Sequence, residues 1–176
     1  MNSIRDKLIL SLLVAGAIVL HILEFMLPTT LLFPGAKLGL ANIITLLVLI
    51  NYGFLSGLQI LLMRIVISSL LIGTFLTTSF FLSLTGGMFS FLIMSAFYYY
   101  SSKFSLIGIS VWGAASHNLG QVIMAYLLMS NWRIVFYLPY LLILSLPTGV
   151  FIGIIVLKLE KYLKFDLINK QEFDKN

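Results

Sequence analysis

Five ionisable side chains, His21, Glu24, Lys37, Arg64 and His117, interrupt a run of apolar residues that extends from about residue 8 to residue 160. A charge near the centre of a bilayer costs ~2.5–3.5 kcal/mol on insertion scales, so such residues usually face the interior of a helix bundle and mark a ligand or ion path. Arg64 is the most demanding of them, because a guanidinium stays protonated and must find a carboxylate, a ring of carbonyls or a bound anion. Glu24 is the only acidic residue within the spans, which makes an Arg64–Glu24 pair one expectation and a ligand contact another. His21 and Glu24 stand three apart and share a helix face, as a local pair or a proton site. Lys37 follows the turn signal Pro34-Gly35 and either snorkels to the headgroups or points inward at an anion.

The densest polar run is Ser116-His117-Asn118-Leu119-Gly120-Gln121. On a helix His117 and Gln121 face one way while Asn118 lies about 100° around. Such a group either orients the polar head of a ligand or forms an interhelical hydrogen-bond network. Lys37, Asn42, Arg64, His117, Asn118 and Gln121 therefore make up the candidate ligand-binding set. No catalytic or metal site and no cofactor are read from the chain. It has no cysteine, and its six acidic residues include no adjacent pair, so it lacks the clustered hard oxygen ligands that magnesium on a diphosphate requires.

These side chains must be positioned by membrane helices. With 60% hydrophobic residues and only 10% charged, the chain has more apolar surface than a soluble domain can bury. At ~20 residues per crossing its length allows about six spans. The expected fold is all-α, a polytopic six-helix bundle over residues 1–160 with a cytoplasmic basic tail at 161–176. The spans are predicted at Leu8–Leu27, Leu38–Tyr52, Phe54–Gly73, Phe80–Tyr100, Leu106–Met129 and Ile134–Leu159. Pro28 ends the first and Pro147 bends the last. The second is short for a crossing. Leu84-Thr85-Gly86-Gly87 predicts either a break in the fourth helix or a close backbone approach.

With six spans, Arg5, Lys7, Lys103, Lys158, Lys161, Lys164, Lys170 and Lys175 fall on one side and only Lys37 and Arg133 on the other. The positive-inside rule then makes both termini cytoplasmic. It also accounts for the basic charge without nucleic acid. Arg64 and His117 lie near the midplane, and the other candidates lie in the outer half, so a pocket open to the exterior is expected. The tail after Leu159 is read as an amphipathic extension on anionic lipid or as a fraying stop-transfer flank. Small residues four apart, Ser11/Ala15, Gly53/Gly57, Ser116/Gly120 and Gly149/Gly153, suit close helix packing or a partner interface. No ATP-binding Gly-x-x-x-x-Gly-Lys-Ser/Thr loop is present, so energy for transport would come from a partner or a gradient.

Three ordered blocks carry a family resemblance: Pro34-Gly35-Ala36-Lys37-Leu38-Gly39-Leu40-Ala41-Asn42, Ser83-Leu84-Thr85-Gly86-Gly87 and His117-Asn118-Leu119-Gly120-Gln121. The chain resembles the bacterial Gx transporter family, also described as heptaprenyl diphosphate synthase component I. That family is similar to the substrate-binding S-components of energy-coupling factor importers. The resemblance implies a six-helix protein of the bacterial cell membrane that captures a small, anionic or amphipathic ligand outside and docks on an ATPase and coupling-subunit module. Ser11 and Ala15 have the spacing for that docking. It also implies the alternative of a non-catalytic accessory or anchor for a polyprenyl synthase, or for a quinone-dependent redox assembly of the membrane.

Overall fold

A computed structural model of the chain describes residues 4–26, 39–100 and 104–173, with side chains described apart from those of Arg5 and residues 163–173. The described residues form six α-helices and no strand: α1 (Ile4–Met26), α2 (Leu40–Tyr52), α3 (Phe54–Ile72), α4 (Thr78–Tyr100), α5 (Leu106–Met129) and α6 (Leu138–Phe173). The expected first loop, with Pro28, Pro34-Gly35 and Lys37, and the loop at Ser101–Lys103 lie outside the described residues.

Glycine sets the sharpest junctions. Gly53, at φ 85°, turns the chain directly from α2 into α3, and Gly73, at φ 78°, closes α3 by donating its N–H to the Leu70 and Ser69 carbonyls. Neither conformation suits a residue with a Cβ. Ser105 caps α5 by accepting from Gly108 N at 3.2 Å. Between α5 and α6 the chain makes a 3-10 turn over Trp132–Tyr137, started by Asn131 Oδ1 accepting from Arg133 N at 3.1 Å. The sequence places the turn at Asn131–Arg133 and starts the sixth span at Ile134, so only the second part of this segment, Ile134–Tyr137, departs from the expected α-helix. It contains no glycine or proline to signal the change. At the far end α6 continues to Phe173, so the basic tail is a helical extension over most of its length.

Four of these helices are long and apolar enough to cross a membrane: α1 from Asp6, α3, α4 and, with the 3-10 turn, α6. The six-span expectation is thus met in full by length and composition only for these. At 13 residues α2 is ~20 Å long against a hydrocarbon core of ~30 Å. In α5 the run from Ser116 to Gln121 dilutes the apolar character.

The short helix is the centre of the bundle. α2 touches α1, α3, α4 and α6, and every residue from Ala41 to Leu49 is buried. A helix buried on all faces reads as uniformly apolar rather than amphipathic. Its Leu46 and Leu49 join Leu61, Ile65, Phe91, Met94, Ile109, Ile152 and Val156 in the main core. α1 lies at the edge, with Leu8, Leu12, Val19 and Leu23 half or more exposed.

In lipid, apolar burial does not drive helices together, and close van der Waals fit does. α5 is held between α4 and α6 in this way. A Cβ on Gly149 would lie 2.5 Å from Val111 Cα, and one on Gly153 2.6 Å from Ile107 Cα. Gly120 faces α4, where a Cβ would stand 2.9 Å from the Thr85 carbonyl oxygen. Of the two readings of Leu84–Gly87, the close approach is correct: α4 runs unbroken through its glycines. Ser11 and Ala15, by contrast, are exposed on α1.

Candidate functional site

The diglycine of α4 lets helices on two sides come close to it. A Cβ on Gly86 would lie 2.8 Å from Gln121 Cγ and 3.0 Å from His117 Cε1 of α5. One on Gly87 would lie 3.0 Å from Leu61 and 3.9 Å from Arg64 Nη2 of α3. Successive residues on a helix are turned by about 100°. The polar candidates are therefore divided between two faces of α4.

On the α3 side lies a charged centre. Arg64 is 3% exposed, and its Nη2 donates to Asn42 Oδ1 at 2.8 Å, while Asn42 Nδ2 donates to Ser90 Oγ of α4 at 3.5 Å. Glu24, also buried, accepts from the backbone N–H of Gly39, the residue before α2, and interacts electrostatically with Arg64. The guanidinium's hydrogen bond goes to Asn42, and Glu24 acts on it only through its charge. Gly39 adopts φ 75°, a left-handed conformation that favours glycine. Arg64 Nε and Ser68 Oγ, one helical turn apart, are buried without a hydrogen-bond partner. His21 lies one turn before Glu24 on α1 and is partly buried. Lys37 lies outside the described residues.

On the α5 side His117 and Gln121 face the same glycine, as their four-residue spacing predicts. Asn118 turns the other way and donates from Nδ2 to the Leu141 carbonyl of α6 at 2.9 Å. Gln121 lines a cavity of about 360 Å³. Its other walls include Ala125 of α5, Leu82 of α4, Ile134 and Tyr137 of the 3-10 turn and Leu141 of α6. That volume is within the range of small-molecule pockets. Gln121 is 3% exposed, and neither its Nε2 nor its Oε1 has a hydrogen-bond partner. A buried polar group left unmatched costs ~1–3 kcal/mol.

Ser90, Ser68 and the Gly39 amide were not singled out from the sequence. Serine is common in membrane helices and usually bonds its own helix, as Ser95 does to the Phe91 carbonyl at 2.7 Å, so composition gives no sign of Ser90's part. Among the described residues no three His, Cys, Asp or Glu side chains are grouped to hold a metal ion.

An all-helical chain with several helices fit to cross a bilayer, a short buried central helix and interior polar centres is a multi-pass membrane protein. The family follows from comparison: residues 13–159 match the model of heptaprenyl diphosphate synthase component I, and the chain belongs to that family. No curated protein and no solved structure matches the chain.

Proposed function

We propose that this protein is a six-span membrane protein that captures a small organic ligand from the exterior for uptake, in the manner of an importer's substrate-binding subunit. The observation that carries this reading is the cavity beside Gln121, where a buried carboxamide without partners lines a space of ligand size. In this reading Gln121 touches the ligand, His117 flanks it and Asn118 fixes α6 against α5. Asn42, Arg64 and Lys37 belong to the charged centre on the other side of α4, where an acidic part of an amphipathic ligand would meet a cation. His21 and Glu24 are the residues for any proton linkage. Tyr126, Trp132, Tyr137 and Tyr140 gather at the end with the cavity, and Tyr52, Tyr98, Tyr99, Tyr100 and Tyr162 at the opposite end. That distribution suits the two interfaces of a membrane, and the basic residues favour the second end as cytoplasmic.

Mass spectrometry of small molecules retained through purification tests the reading, followed by uptake of the retained compound in cells with and without the protein. A purified, folded protein that retains no organic ligand, in cells whose uptake is unchanged, overturns it.

A second reading is favoured by the family match: a non-catalytic membrane subunit that associates with a prenyl diphosphate synthase. Co-isolation separates the two. A soluble synthase recovered with the protein supports the accessory role, and an ATPase with a coupling subunit supports import.

A further inference from the structure

The short helix α2 is flanked by α1 and α6, which both pack on it. Between those two helices lies a groove of about 730 Å³, floored by Ile43 and Leu47 of α2 and walled by Leu13 and Leu20 of α1 and Phe151 and Ile155 of α6. Tyr162 stands at one end of it, and its hydroxyl is the single polar group among the lining side chains. Phe151, Leu159 and Tyr162 are exposed, so the groove opens away from the bundle, where lipid surrounds it. Space left unfilled there forfeits dispersion contacts, and those contacts are what hold helices together in a bilayer. A helix, ~10–12 Å across with its side chains, would need a floor open to it, whereas Ile43 and Leu47 are buried between the walls. A hydrocarbon chain fits the slit.

The charges at the Tyr162 end select the kind of lipid. Lys158 and Lys161 of α6 are both exposed. Around the helix Lys158 stands about 40° from Tyr162, at the edge of the groove, and Lys161 about 100°. The acids of this end point elsewhere or lie further off: Glu160 is about 160° around α6 from Tyr162, and Asp6 is about 10 Å beyond Leu13 along α1. A phosphate level with the two lysines therefore meets cations while its chain runs up the groove toward Leu40. We propose that this groove is a binding site for an anionic phospholipid, with one acyl chain between α1 and α6 and the phosphate at Lys158 and Lys161. The chain fills the space that α1 and α6 leave beside α2. The site shares no lining residue with the cavity beside Gln121 and does not rest on the capture reading.

The test places the full-length protein in phosphatidylcholine vesicles with a minor share of phosphatidylglycerol. Each lipid in turn carries a photoreactive diazirine in mid-chain, and mass spectrometry locates the labelled residues. The groove walls are compared with Leu62 of α3 and Leu92 of α4, exposed apolar residues that any surrounding lipid touches. A basic residue near the membrane surface favours an anionic lipid by about fivefold. Molecule for molecule, phosphatidylglycerol is thus expected to label Leu13, Leu20, Phe151 and Ile155 at least that much more than phosphatidylcholine does, and to label Leu62 and Leu92 no more. The double variant Lys158→Gln/Lys161→Gln is expected to remove the excess. Equal labelling of the groove by the two lipids in the wild type overturns the proposal, as does an excess of the same size at Leu62 and Leu92. So does an excess that persists in the folded double variant, or a groove that neither lipid labels, as occupation by another protein would leave it.

Discussion

Arg64 holds a full positive charge inside the bundle on few contacts: one hydrogen bond to Asn42 and the charge of Glu24. A hydrogen bond to a charged group contributes ~1.5–3 kcal/mol. Asn42→Ala removes that acceptor and leaves Nη2 in the same position as the already unmatched Nε. The variant is expected to lose stability by about that amount, seen as a lower unfolding temperature in detergent. The two types of glycine give contrasting outcomes. Gly86→Ala drives a methyl into the His117 carbonyl oxygen, 3.0 Å away, and into the Gln121 stem. Overpacking of this kind costs ~1–3 kcal/mol, and it is expected to displace Gln121 and with it any bound ligand. Gly73→Ala meets nothing within 4 Å. Its cost, ~1–2 kcal/mol, comes from forcing a Cβ into a left-handed conformation, so it should lower stability and leave binding intact. Paired measurements of unfolding and ligand retention separate the two effects.

At the scale of elements, the α5–α6 contact is set by glycines whose neighbours are backbone atoms. Gly149→Val is expected to lower stability more than Gly16→Ala, because Val111 Cα at 2.5 Å cannot yield, whereas Gly16 faces only the mobile tip of Ile44 at 3.2 Å. Equal unfolding temperatures for the two variants would contradict this. The junction of α2 with α3 and the end of α3 were legible because Gly53 and Gly73 mark them in the sequence as well as in the structure, whereas Gly39, which begins α2, falls inside the predicted second span and the Ser105 cap of α5 was not singled out. The turn at Asn131–Arg133 was legible too, but its continuation as a 3-10 helix over Ile134–Tyr137 was not, since those residues differ little from those of an apolar helix. The candidate site was legible only in part. Spacing correctly placed His117 and Gln121 on one face, but the partition of the polar set about α4 depends on which way two adjacent glycines face. The partners of Asn42 and Glu24 depend on tertiary contacts between residues far apart in sequence.

For the whole molecule, the absence of cysteine from the sequence makes the proposed orientation directly measurable. In cells, a single Ser130→Cys between α5 and the 3-10 turn is expected to react with a membrane-impermeant maleimide added outside. Phe104→Cys, just before α5, is expected to react only after permeabilisation. The reverse pattern would invert the bundle and turn the cavity toward the cytoplasm. Labelling of both sites from one side would remove α5 from the set of crossing helices.

The carboxylate that meets the Gly39 amide belongs to a different helix, and this has a consequence for biogenesis. The first amides of any helix lack partners of their own, and in α2 this end is reached by Glu24 of α1 rather than by a side chain of its own. Too short to integrate alone, α2 has its cap synthesised ahead of it, so the two segments should leave the translocon as one hairpin. A nascent chain truncated after Tyr52 is then expected to integrate both segments, and Glu24→Ala should leave the second one partly in water.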